Sequence, residues 1–224
     1  MIDTPAREPL PLTAKGRGTR QRILDAAADL MVAKGVAAVS LDEICRVTGT
    51  SKSQLYHYFA SKDELAIAVV DCVRLRILAF QRPLLVTADS FEALERWAAT
   101  MVAIQRGSGG GHGCPLGTLA NELADTAERA RIQLQAAFAE WEAVIAAGLA
   151  SMQARGELVA RADPQRLAQA VLASVQGGLL MAKTARDVAP LEVALAASLG
   201  YLRTFAAADP RHDRRARATR THDG

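Results

Sequence analysis

Eight residues within a stretch of twelve carry side chains suited to touching a polyanion: Ser51, Lys52, Ser53, Gln54, Tyr56, His57, Tyr58 and Lys62. Glutamine can pair bidentately with adenine, and lysine with the acceptor edge of guanine. Hydroxyls and rings one turn further on suit the phosphate-sugar wall, where most contacts position rather than specify. Lys62 offers its charge to a phosphate. A second group lies upstream, where Lys15, Arg17, Arg20 and Arg22 form a run with no acid among them. Residues 1–62 hold nine Lys/Arg against six Asp/Glu, and the rest of the chain holds eighteen of each. The excess positive charge of +3 therefore sits at the front. Charge alone is equally consistent with a solubilising arm.

Those side chains need rigid elements to present them. Ser40-Leu41-Asp42-Glu43, Ser51-Lys52-Ser53-Gln54 and Ser61-Lys62-Asp63-Glu64 each read S-x-x-E/Q. In that pattern the serine oxygen accepts an amide of the first turn and the acid or amide reaches back. Helices are therefore predicted to begin near 41, 52 and 62. Gly49 and the next cap keep the first two short. Ile44, Val47 and Leu55 are expected to form a small core between them. Two short helices around a glycine turn are the pattern of a helix-turn-helix, whose second helix enters the major groove by its N-terminal residues.

The remaining elements follow from composition and period. The chain has 224 residues, 50% hydrophobic, 23% charged and only 4% aromatic, and alanine supplies 45 of them. Alanine favours helix and aromatics favour strand, so an all-α protein is predicted. A helix is expected from near Thr19 to Gly35, with Ile23, Leu24, Ala27, Leu30 and Met31 along one face. Further helices are expected over 62–81, stopping at Pro83, then 90–106, a short one after Pro115, 126–155, 164–186 and 190–207. The glycine run 107–113 reads as a hinge. The predicted organisation is a disordered arm over 1–14, a three-helix DNA-binding domain over 15–62, a larger helical domain over 63–208, and a disordered tail over 209–224, with about nine helices in all. The longest charge-free stretch, Leu167 to Ala182, is too short and polar for a membrane span. No leader-like apolar run opens the chain, and Cys45, Cys72 and Cys114 lie far apart with no CxxC pair. A cytoplasmic protein with reduced thiols is expected.

Residues 19–65 resemble the DNA-binding domain of the TetR (tetracycline-repressor-like) regulators. The resemblance is carried by Leu55-Tyr56-His57-Tyr58-Phe59, by Lys62-Asp63-Glu64-Leu65, and by Ile44 and Gly49. Thr48, Thr50 and Gln54 depart from the family's usual alanine, valine and small residue. The length and helix count of 66–207 also resemble the family's second half, and a similar GC-x-[LI]-G motif, here Gly113-Cys114-Pro115-Leu116-Gly117, occurs in one subgroup. The resemblance implies a homodimer through the last two helices, about 164–186 and 190–207, and a small-molecule effector pocket in each subunit. It further implies double-stranded operator DNA as partner, with the helix over 62–81 as transmitter. A repressor released by its effector is the expected activity. Trp97, Met101, Trp141 and Met181 are candidate pocket residues, although such stripes are also ordinary core. Gly177-Gly178 in a good helix suggests close approach of another helix, in the partner or in the same subunit.

Cys114, at a helix start with Lys183 able to approach, could sense electrophiles or oxidants if the helix dipole lowered its pKa. A small buried thiol is the plainer alternative. A helical dimer that binds a partner protein is another reading, and an activator or nucleoid-type binder a third. No enzyme is expected: the chain has no HExxH, no GxGxxG and no Gly-Lys dipeptide. No cofactor and no metal site are expected either, since His112 with Cys114 makes only two ligands where structural zinc takes four.

Overall fold

The computed structural model describes residues 13–107, 109 and 112–207. Among these, nine helices follow one another: α1 (Ala14–Lys34), α2 (Leu41–Thr48), α3 (Lys52–Tyr58), α4 (Lys62–Val86), α5 (Phe91–Gly107), α6 (Pro115–Leu123), α7 (Glu128–Ala154), α8 (Pro164–Ala185) and α9 (Ala189–Arg203). The expected tail over 209–224 and most of the expected arm lie outside the described residues.

The caps act where the serines predict. Ser40, Ser51 and Ser61 each accept the backbone N–H three residues on, at 3.1, 3.2 and 3.1 Å. Only at α3 does the reciprocal bond also form, with Ser51 N–H donating to Gln54 Oε1 at 3.0 Å. Glu43 instead holds Lys34, and Glu64 holds Arg129. Gly49 closes α2 in the left-handed region at φ 65°, which lets the chain reverse directly into the cap of α3.

Three boundaries differ from the sequence reading. α1 starts at Ala14 rather than near Thr19, because Thr13 Oγ1 accepts the Gly16 N–H and caps it early. That brings Lys15 and Arg17 into the helix. α4 runs past Pro83 to Val86. One further turn survives because Leu85 is buried and the Thr87 hydroxyl donates to the carbonyls of Pro83 and Leu84. α9 ends at Arg203 rather than 207, since the chain beyond it pairs with 157–159. Val159 N–H donates to Phe205 O, and Ala207 N–H to Glu157 O, both at 2.9 Å.

The core runs through both halves. Ile23, Ala27 and Met31 of α1 meet Ile44 of α2, Leu55 of α3 and Phe59 beneath the first four helices. α4 continues from there against α7, and α7 packs on α8. Trp97 and Trp141 fill the larger core, each 2% exposed. α8 and α9 form the tightest pair. A Cβ at Gly178 would stand 2.9 Å from Ala194 Cβ and 3.0 Å from Leu191 Cδ1, so this glycine serves packing within the subunit. Gly177 faces open space.

Candidate nucleic-acid interface

Burial splits α3 cleanly into two faces. Leu55 is fully buried, and Phe59 seals the end beneath Arg20, whose guanidinium lies 5.0 Å from the ring centroid. Ser51, Lys52, Ser53, Gln54, Tyr56 and His57 all point to solvent. The hydrophobic anchor thus forces the polar residues outward, on a helix narrow enough for the major groove. Tyr58 is half-buried and packs edge-on to His57, with ring centroids 5.0 Å apart. Of the sequence-predicted residues, six therefore stand exposed on α3 and its N-cap, while Lys62 lies on α4 and Arg17 and Arg20 on α1.

Three of them are already engaged. The Lys52 ammonium lies 2.9 Å from the Asp42 carboxylate, and that hydrogen bond raises its pKa above the ordinary lysine value. Gln54 Oε1 is held by the Ser51 amide, which leaves its Nε2 hydrogens as the outward-facing donors. Lys62 is half-buried and donates to the Ala37 carbonyl at 3.3 Å. Arg17 and Arg20 lie on α1.

Val47 does not join the small core: it is 54% exposed. Thr48 takes the inward position. Its hydroxyl donates to the Ile44 carbonyl at 2.7 Å and shares a 2.7 Å hydrogen bond with the Thr50 hydroxyl. Each buried polar group thereby satisfies the other, which explains why two threonines are tolerated there.

The second half holds neighbouring cavities around the 112–118 segment. One of about 330 Å³ is lined by Ile77, Phe80, Met101, Cys114, Trp141 and Leu179, among others. A second of about 420 Å³ reaches α1 and is lined by Asp29, Arg76, His112 and Lys183 with apolar neighbours. A third of about 450 Å³ includes Cys114, Glu122, Gln176, Gly177 and Lys183. Such volumes suit small organic ligands. Of the predicted pocket residues, Met101, Cys114, Trp141 and Lys183 line these spaces. Trp97 does not line them: it is core, and its Nε1–H donates to Gln81 Oε1 at 2.7 Å. Met181 is 62% exposed on the outer side of α8, one turn on from Gly177, which also faces open space.

Cys114 also differs from the reactive-thiol expectation. It is the N-cap of α6, and its sulfur accepts the Gly117 N–H at 3.4 Å. Burial nevertheless pushes its thiol pKa up, outweighing the hydrogen bonds from Gly117 and Gln176 that act the other way. Lys183 donates to Thr118 Oγ1 at 3.5 Å rather than to the sulfur.

Two side chains that sequence reasoning missed tie the halves together. Glu122 of α6 accepts the Ala37 N–H at 3.1 Å and so grips the turn between α1 and α2. Arg76 of α4 spans Asp25 and Asp29 of α1, at 2.7 Å each. Both acids lie on the polar side of the α1 stripe. Their spacing of four is visible in sequence, but their partner fifty residues on is not. Among the described residues no group of three or more ligating side chains could hold a metal, and no helix is long and apolar enough to cross a membrane.

Comparison with known proteins agrees with this geometry. Residues 23–69 match the profile of bacterial regulatory proteins of the tetR family, and residues 90–197 that of the C-terminal domain of LmrA/YxaF-like transcriptional regulators. An uncharacterised HTH-type transcriptional regulator in the lacX 3' region of Lactococcus lactis is 32% identical over 185 residues, covering 79% of this chain and 89% of that one. The YxaF regulator of Bacillus subtilis is 29% identical over 182 residues, covering 80% and 92%. Among solved structures, a TetR-family regulator from Cytophaga hutchinsonii shares the fold with a TM-score of 0.79 at 21% identity, over 89% of this chain and all of that one.

Proposed function

Since the chain belongs to the TetR family of DNA-binding transcriptional regulators, we propose that it is a repressor that holds a pseudo-palindromic operator as a homodimer and lets go when a small molecule enters its second half. The observation that carries this reading is the outward face of α3. Ser51, Lys52, Ser53 and Gln54 stand exposed at its start, while buried Leu55 fixes its rotation.

The dimer is supported by what α8 and α9 leave uncovered. Ala173, Gly177, Leu180, Met181 and Thr184 are exposed along one side of α8, and Val193, Ala196, Ala197, Gly200 and Tyr201 along one side of α9. These follow helical spacing, are small or apolar, and carry no charge. Two α8–α9 pairs would bury them as a four-helix interface. Gly177 then supplies the close approach to the partner that Gly178 supplies within the subunit.

Release follows from linkage. A ligand that prefers the conformer with mis-spaced recognition helices lowers operator affinity, typically by about 1–3 kcal/mol, and the operator lowers ligand affinity equally. The cavities border α4, which reaches α1 through Arg76.

The test combines selection from random DNA with sedimentation of the purified protein. The expected result is a two-fold symmetric consensus whose half-sites lie roughly 34–36 Å apart or a multiple of it, bound by a dimer. A monomer in solution, or no preferred sequence, would refute the proposal.

A further inference from the structure

Arg76 occupies an unusual place: it lines both the 330 Å³ and the 420 Å³ cavities, between an apolar space and the α1 surface. On one side stand Ile77, Phe80, Met101, Ile104 and Leu179, with Trp141. The Trp141 Nε1–H is buried and has no hydrogen-bond partner among the described residues, so a donor is left over in a wall whose other polar side chains, besides Arg76 and Cys114, are Gln81 and Gln105. On the other side stand Lys183 and His112. Lys183 makes no ion pair among the described residues, and its polar contact is the Thr118 hydroxyl. The one acid lining that space, Asp29, is already held by Arg76. The charge bordering the two spaces is thus mainly positive, from Arg76 and Lys183, next to a largely apolar chamber.

We propose that the two cavities flanking Arg76 form one site for an amphipathic organic anion, its apolar body beside Trp141 and its carboxylate-like head on Arg76 with Lys183 and His112 near. This rests on the reading that these cavities take the effector, and adds its chemical class. The head competes with Asp25 and Asp29 for the same guanidinium. That ion pair is half-exposed and therefore weak, so an incoming carboxylate can replace it. The exchange leaves two unpaired acids on α1 facing a new negative charge. The contact between α1 and α4 loosens, and with it the position of α3.

Three ten-carbon probes that differ only in the head test this: decanoate, decanol and decylamine. Trp97→Phe leaves Trp141 as the only tryptophan, so its fluorescence reports occupancy of the chamber. Decanoate is expected to give a saturable change and to bind at least about tenfold more tightly than decanol. Arg76→Gln should remove that preference while decanol binding persists. Asp29→Asn, which frees Arg76 of a competitor, should tighten decanoate. The two variants move affinity in opposite directions, so a general loss of folding cannot imitate the result. Equal binding of acid and alcohol, a preference for the amine, a preference that survives Arg76→Gln, or no change at Trp141 with any probe overturns the anion site. A gel shift on the selected operator separates the two readings. If decanoate binds with the expected Arg76 dependence and the operator stays bound, the anion site stands and the effector reading falls.

Discussion

In the proposed reading Gln54 would serve both as the capping partner of Ser51 and as a base contact. Bidentate pairing with adenine takes both Oε1 and Nε2, whereas Oε1 is committed to the Ser51 amide. With the capping box intact, one lone pair of Oε1 is taken and the oxygen is turned back toward Ser51, so Gln54 presents chiefly its Nε2 donors, which suit an acceptor edge such as guanine O6 and N7. Gln54→Ala is expected to relax selectivity at one position of each half-site by about 1–3 kcal/mol, with the rest of the consensus unchanged; selection from random DNA reads this directly. Cys114 gives a second expectation at this scale. Its folded pKa is raised, so the folded state holds the thiol proton more tightly than the unfolded chain does. This contribution to stability is complete below the ordinary thiol range and is lost as pH rises through that range toward the folded value. Alkylation by iodoacetamide at pH 8 should be much slower at Cys114 than in the urea-unfolded chain, as mass spectrometry of the labelled peptide would record. The cysteine's helix-start position was legible in sequence and argued for a lowered pKa. Its desolvation was not legible, because it comes from α8 packing sixty residues away.

At the scale of elements, the caps and stops were the legible part. The three serine caps lie where their pattern puts them, and Gly35 and Gly49 end α1 and α2. Local hydrogen bonds decide such boundaries, and local sequence encodes them. Pro83 misleads because Leu85, anchored in the core, outweighs the local cost of proline. Val47 misleads because both Val47 and Thr48 can face inward at helical spacing, and the Thr48 hydroxyl is satisfied there by the Ile44 carbonyl and Thr50. Adjacent glycines supply the sharpest test here. Gly178→Ala places a methyl 2.9 Å from Ala194 Cβ and should cost about 1–3 kcal/mol. Gly177→Ala meets nothing within the subunit, so it should gain about 0.5–1 kcal/mol of helix stability while weakening the dimer. Thermal melts paired with sedimentation separate the two effects.

For the molecule as a whole, the front-loaded charge predicts a salt dependence. Lys15, Arg17, Arg20 and Arg22 stand on α1 and Lys62 on α4, and operator affinity should fall steeply and log-linearly with salt. Lys62→Ala should weaken all sequences alike and reduce the slope by about one. An unchanged slope would leave Lys62 as a tie to the Ala37 carbonyl and nothing more. The helix-turn-helix of the first half was readable from its caps and glycine turn. How the halves are joined was not, because Arg76 and Glu122 find their partners across 51 and 85 residues of chain.

Glu122 carries a practical corollary for anyone recombining such regulators. A chimera cut at the seam between residues 62 and 63 would keep its reading head but lose the latch that seats the α1–α2 corner on α6. To report an effector, the borrowed body would have to bring an acid of its own to that corner.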